Sequence, residues 1–177
     1  MRVRQLIAAD ARAYGVVDLR AAVNSVAGLS PLWLVVVYRV GHDLRRRRIP
    51  LLPSMCRALG LVVWSAELWP EATIGPGFRI AHSPGIVVGS AVVAGANLTL
   101  FHGTTLGGSN THSADGTRNH PTIGDDVTIY PGAVVVGGVT IGDGAQIAAN
   151  AVVTGNVGAR AVVGGAPARD LRGAGTT

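Results

Sequence analysis

Residues 123–157 read IGDDVTIYPGAVVVGGVTIGDGAQIAANAVVTGNV. An aliphatic residue returns every sixth position, at Ile123, Ile129, Val135, Ile141, Ile147 and Val153. Four positions after each comes Val127, Ala133, Val139, Ala145, Ala151 or Val157, a second beat built only of Val and Ala. A period of six matches neither the helical 3.6 nor the strand 2.0. It matches a solenoid of short flat strands joined by sharp corners. The aliphatic residue faces the axis, the small residue fits beside it, and Gly, Asn or Asp serves the corner. Upstream the beat is Ile74, Ile80, Ile86, Val92 and Leu98. In three-sided coils of about 18 residues these hexads make about four coils, above the roughly three that repeat folds need.

Composition follows this division. Residues 71–177 hold 21 of the 25 Gly and carry five Arg against six acids. Residues 1–70 carry ten Arg against four acids, so the net charge of +5 belongs to them. All three Trp and the single Cys also lie there. One Cys excludes a disulfide framework and a Cys-based zinc site. With 48% apolar and 14% charged residues the chain is not of the disordered class. The Gly spacing is not every third residue, so it is not collagen. The Arg-rich run at 45–48 is short and no stacking aromatics interleave it, which argues against a nucleic-acid surface. The apolar runs at 29–44 and 49–64 contain Arg39 and Arg57 and are poor spanning helices. No secretory signal is evident at the start, and the expected location is cytoplasmic.

The expected organisation is a helical region over 1–70, a β-helix over 71–165 with an excursion loop at 107–121, and a tail over 166–177 that frays. Ser30-Pro31 reads as an N-cap with Pro at the first helical position, opening a helix from about 32 to 47. Pro50 and Pro53 end it and start another, to about Ser65. Residues 2–14 have a weaker helical beat. The loop interrupts the repeat with a polar, turn-rich stretch, and long loops in compact domains are usually functional or disordered.

Three stretches carry a resemblance. Residues 72–89, ATIGPGFRIAHSPGIVVG, resemble the A-x-I-G-x-G…H-x-x-G-I-V-V-G stretch of serine O-acetyltransferases. Thr105-Leu106-Gly107-Gly108 followed by His120-Pro121 is similar to that family's T-L-G-G…H-P, and Gly165-Ala166-Pro167-Ala168-Arg169 to its closing G-x-P-A-R. These are hexapeptide-repeat acyltransferases, and the likeness spans residues 67–172. It implies a mainly β fold, the left-handed parallel β-helix, with acetyl-CoA as donor, no metal, and a homotrimer with sites between subunits.

The residues fit that chemistry. An alcohol is a poor nucleophile at neutral pH and needs a base, a task suited to His. By resemblance His82 is that base, and the acid fifteen residues earlier, an Asp in the family, is Glu67 here. It would hold the imidazole in its tautomer. His120 matches the second active-site His, which contacts the acceptor's carboxylate or the transition state. His102 falls on the small-residue beat, where packing would crowd it, and lines the site in the family. Arg118 and Asn119 stand near the family's substrate-binding loop residues. Gly107, Gly108, Pro131 and Ala149 map to the acetyl-CoA groove, and Arg169, with Arg160 and Arg172, to the nucleotide phosphates.

Departures touch the acceptor rather than the transfer. The family's Asp before the base is Ala81, its D-R-H-P-K loop reads Arg118-Asn119-His120-Pro121-Thr122, and its N-terminal acidic motif has only Asp10 and Asp18 as stand-ins. The first expectation is therefore acetylation of L-serine or a similar small hydroxy amino acid. The second is acetylation of a sugar, polysaccharide unit or secondary-metabolite hydroxyl. A zinc-bearing or purely scaffolding β-helix is the remote third. The apolar helices with Arg45–Arg48 could touch a membrane surface, although packing on the assembly is preferred.

Overall fold

The computed structural model describes residues 1–16, 30–109 and 119–172. Strands of two or three residues run once along each side of a three-sided coil. Side A holds β1 (Glu67–Leu68), β4 (Val87–Val88), β7 (Thr105–Gly107), β10 (Val134–Val136) and β13 (Val152–Val153). Side B holds β2 (Thr73–Ile74), β5 (Val93–Ala94), β8 (Thr122–Ile123) and β11 (Thr140–Ile141). Side C holds β3 (Arg79–Ile80), β6 (Thr99–Leu100), β9 (Thr128–Ile129), β12 (Gln146–Ile147) and β14 (Val162–Gly164). All these pairings are parallel, so the fold is a parallel β-helix. β15 (Arg169–Asp170) closes side C by pairing antiparallel to β14. The expected frayed tail thus begins with a paired strand.

Both beats face inward. Ile123, Val127, Ile129, Ala133, Val135, Ile141, Ala145 and Ile147 are all at most 2% exposed, forming ladders up the axis. Between sides B and C the corner residues Gly77, Asn97, Asp126, Gly144 and Arg160 stack in one column, each with φ between 56° and 79°. That left-handed geometry favours the Gly, Asn and Asp found at the first four of these corners, and Arg160 adopts it at the last.

The upstream beat needs a correction. Glu67 pairs with Val87, Thr73 with Val93 and Arg79 with Thr99, so the first turn rises by 20 residues rather than 18. The two extra residues lie in the corner 81–86. They shift the phase, so Ile86, Val92 and Leu98 occupy the second beat and Val88, Ala94 and Leu100 the first. Both beats are aliphatic here, which hid the slip. The shift also moves His102 off an inward position, and it is exposed. The loop between β7 and β8 lengthens its turn to 29 residues, as Val93 pairs with Thr122. Its base is closed by Ser109 N–H donating to the Asn119 carbonyl at 3.1 Å.

The helical region comprises α1 (Val3–Ala13), α2 (Pro31–Arg46) and α3 (Leu52–Trp64). Ser30 Oγ accepts the Leu32 N–H at 3.3 Å and Pro31 occupies the first turn, as the sequence predicts. Leu34, Val35 and Tyr38 of α2 join the core of the coil. Polar contacts fix the docking. Asp10 is 0% exposed and its carboxylate pairs with Arg39, 1% exposed, at 2.8 Å. Arg39 also donates to the Ile74 carbonyl at 2.5 Å and the Gly75 carbonyl at 2.6 Å, and Asp10 accepts the Phe78 N–H at 2.9 Å. Tyr14 O–H donates to the Ile80 carbonyl at 3.0 Å and accepts the Ile80 N–H at 2.7 Å. Tyr38 O–H donates to the Ala72 carbonyl at 2.8 Å. Asp10 is therefore a docking residue in the chain's interior. Among the described residues no helix is long and apolar enough to cross a membrane.

Candidate functional site

The lengthened corner 81–86 places His82 outside the coil, where it is exposed. One turn on, His102 stands in the equivalent position, because Ile80 pairs with Leu100 and each His lies two residues later. The rings are 6.0 Å apart at 64°, an edge-to-face arrangement. Leu100 pairs with Ile129, and Ile129 with Ile147, so Pro131 and Ala149 continue the same column. At the spacing of neighbouring strands, about 4.8 Å per coil, the four residues span about 14 Å of this edge. Beside them Phe101 and Tyr130 stack with centroids 5.4 Å apart and 19° between planes. At the far end of side C, Arg169 pairs with Gly164 in β15, exposed, and donates to the Ala168 carbonyl at 3.2 Å.

Glu67 begins side A one turn before Val87, so it belongs to the edge that carries His82. Its Oε1 accepts from Arg57 Nη1 at 2.8 Å, with the two side chains 30% and 32% exposed. Arg57 in turn lies 4.0 Å over the Trp69 ring. The carboxylate partner seen for Glu67 is thus Arg57, from α3, in place of the anticipated His82. A carboxylate has two oxygens and about four acceptor sites, so the Arg57 bond leaves Oε2 to serve a second donor.

A second group occupies the opposite edge of side A. Gly107 ends β7, Gly108 follows it, and the chain returns through Asn119 and His120 into β8. Asn119 Oδ1 approaches Gly138 so closely that a Cβ there would lie 3.1 Å from it. The His120 ring lies against Gly89 and Gly108, and its Nδ1 is enclosed with no hydrogen-bond partner among the described residues. Arg118 lies outside the described residues, as does most of the excursion loop. Within one chain the anticipated residues therefore form two groups. His82, His102, Pro131, Ala149 and Glu67 stand at one edge of side A, and Gly107, Gly108, Asn119 and His120 at the other. Sequence reasoning missed Arg57, since its only signal was a lone cation in an apolar helix.

Two-residue strands on three sides, a six-residue beat and imidazoles at the corners define a hexapeptide-repeat β-helix. Residues 120–155 match the family described as bacterial transferase hexapeptide (six repeats). The serine acetyltransferase of Bacillus subtilis (strain 168) is 36% identical over 114 residues, 64% of this chain and 50% of the relative. The chain spans about half the length of the curated relatives it matches. Soybean serine acetyltransferase, solved complexed with serine, superposes with a TM-score of 0.85 at 32% identity, covering 96% of this chain and 69% of that one. A serine acetyltransferase solved in complex with CoA gives 0.81 at 29% identity, covering 96% and 69%. The chain belongs to the serine acetyltransferase-like family of hexapeptide-repeat acyltransferases, and its β-helix is the left-handed one.

Proposed function

We propose that this protein transfers an acetyl group from acetyl-CoA to the hydroxyl of L-serine or a similar small hydroxy amino acid. The observation that carries the reading is the exposed His82–His102 pair on an edge lined by small residues, in a chain whose relatives include serine- and CoA-bound acetyltransferases. His82 takes the proton of the acceptor hydroxyl. The oxygen attacks the thioester carbonyl, and the tetrahedral intermediate expels the CoA thiolate, which recovers the proton from the imidazolium. No acyl-enzyme forms, and Cys56 lies in α3, outside both edge groups. In this reading backbone N–H groups near Gly107 and Gly108 stabilise the oxyanion. The pantetheine arm runs along the small-residue edge past Pro131 and Ala149 toward Arg169.

His82 and His120 lie at opposite edges of side A, so a site using both takes one from each of two chains. Packing sides of neighbouring chains edge to edge supplies that, which supports the homotrimer. The outer face of α3 supports further contacts, since Leu52, Met55, Leu59 and Val62 line one exposed stripe.

One observation favours a second reading. The corner residue before His82 is Ala81, next to the Phe101–Tyr130 stack, where the family that the sequence resembles carries an Asp. A neutral hydroxyl acceptor, a sugar or a related metabolite, fits that corner without an unpaired charge. The test is an acceptor screen with acetyl-CoA that follows release of free thiol, L-serine first. Turnover with serine is expected. No turnover with serine but turnover with a sugar moves the second reading ahead. In parallel, His82→Ala is expected to lower kcat by about 10²–10⁴-fold, the usual contribution of a general base. Activity within tenfold of wild type removes His82 from the mechanism.

A further inference from the structure

The glycines that follow two strands of side A face the same ring. Gly89 follows β4, and its N–H donates to the Leu106 carbonyl at 2.8 Å. Gly108 follows β7 one coil below. A Cβ built on Gly89 would lie 2.8 Å from both Cδ2 and Nε2 of His120. On Gly108 it would lie 2.6 Å from Cε1, 2.9 Å from Nδ1 and 3.0 Å from Nε2 of the same ring. Unstrained carbon contacts lie at about 3.5–4.0 Å, so neither position admits a side chain while the ring is there. Neither glycine has the left-handed φ that Gly77 or Gly132 has. Their lack of a side chain therefore answers a need for space and not for backbone conformation. Beyond the ring, the tightest neighbour of a Gly89 Cβ is the Leu106 carbonyl at 3.2 Å, a milder contact.

We propose that Gly89 and Gly108 are positioning residues that form a slot for His120, fixing the ring so that Nε2 is the atom that meets the ligand. The enclosure of Nδ1 gives the second half of the claim, because an atom without solvent access cannot reach an acceptor. The slot explains two motif glycines at once: the last residue of GIVVG and the last of TLGG hold the same side chain. It rests on the reading of His120 as a site residue.

A double-mutant cycle tests it, with Gly89→Ala placed in the wild type and in His120→Ala. In the wild type, Gly89→Ala is expected to lower kcat/KM at least tenfold and to lower Tm. In the His120→Ala background the same change is expected to cost less than twofold in kcat/KM and to leave Tm unchanged. Equal losses in both backgrounds, or a Gly89→Ala enzyme as active as wild type, overturn the slot. If Gly89→Ala alone fails to fold, the double variant still decides, since it should fold with the Tm of His120→Ala. Activity retained by His120→Gln, whose amide reaches the Nε2 position, should exceed that of His120→Asn at least fivefold. The reverse order overturns the assignment of Nε2. A fully active His120→Ala sinks the functional reading of His120 and the catalytic purpose of the slot, whereas the Tm arm reads the steric contact by itself.

Discussion

The coil and the helical region are held together by opposite means. In the coil, stability is spread over ladders of interchangeable Ile, Val, Leu and Ala, each rung resting on the one above and below. In the helical region a larger share falls to a few buried polar contacts, above all Asp10–Arg39, with Tyr14 and Tyr38, beside the Leu34 and Val35 side chains that join the core. A ladder shares a loss among neighbours, since repeat folds are close to sums of nearest-neighbour terms. A polar staple cannot share it, because each buried donor or acceptor has one place to go.

The largest effect should therefore follow from the smallest-looking change in the helices. Asp10→Ala strands a guanidinium that is 1% exposed and removes the partner of the Phe78 N–H. Breaking one side of a buried pair typically costs about 3–5 kcal/mol. All three Trp lie in or next to the helices, so their fluorescence reports that region while far-UV dichroism is weighted by the coil as well. Asp10→Ala is expected to shift the fluorescence transition in urea to lower concentration, ahead of the loss of strand signal. A variant as stable as wild type would show that the staple is not what holds the helices.

The same contrast sets what a reader of the sequence can see. A solenoid writes its core as a period, so Ile123 to Val153 disclose the fold without any knowledge of what they touch. The phase slip at 81–86 escapes notice because Ile86 and Val88 are both aliphatic, and only pairing registers tell them apart. Asp10 and Arg39 are 29 residues apart with no period linking them, and burial of a charge is not written in its identity. The candidate site was legible as a set of residues, through motifs at His82, His120 and Gly107-Gly108. Its division between two edges was not, because which edge a corner residue faces depends on the length of every turn before it. Arg57 was invisible as a partner of Glu67, since the ion pair joins a helix to a strand.

A second prediction uses pH. Burial raises Tyr14 and Tyr38 above the ordinary tyrosine range, most strongly through loss of hydration of the phenolate. A raised folded-state pKa means that the folded chain keeps its protons while the unfolded chain starts to lose them near pH ~10. The stabilisation is complete below that pH and is lost as pH rises above it, by up to about 1.4 kcal/mol per pH unit for each tyrosine. The urea midpoint should fall between pH 9.5 and 11 on the order of twice as steeply in wild type as in Tyr14→Phe. An unchanged slope would move the docking contribution away from Tyr14.

A mid-ladder truncation probes the other region. Ile129→Val removes one methylene at a position 0% exposed, between Leu100 and Ile147. The expected cost is about 0.5–1.5 kcal/mol, with fluorescence and dichroism transitions shifting together. A loss above about 3 kcal/mol would mean that the ladder does not share its load, and the contrast with the helical staple would fail.

The smallest effect on stability belongs to the partly exposed contact between α3 and the start of the coil. Arg57 and Glu67 are about a third exposed, and exposed pairs contribute about 0.2–1 kcal/mol. Arg57→Gln should accordingly leave the urea midpoint almost unmoved. It nevertheless frees the Glu67 carboxylate beside the His82 edge and uncovers the Trp69 face. If Glu67 orients His82, its carboxylate must be held at a fixed angle, and losing the Arg57 hydrogen bond to Oε1 lets it rotate. The expected outcome is a several-fold fall in kcat with KM for the acceptor little changed, because the loss falls on proton transfer and not on acceptor binding. Arg57→Lys keeps a cation but not the planar fork, and should recover only part of the rate. A large loss of stability with unchanged kcat would reverse the assignment, making Arg57 one more staple of the helices.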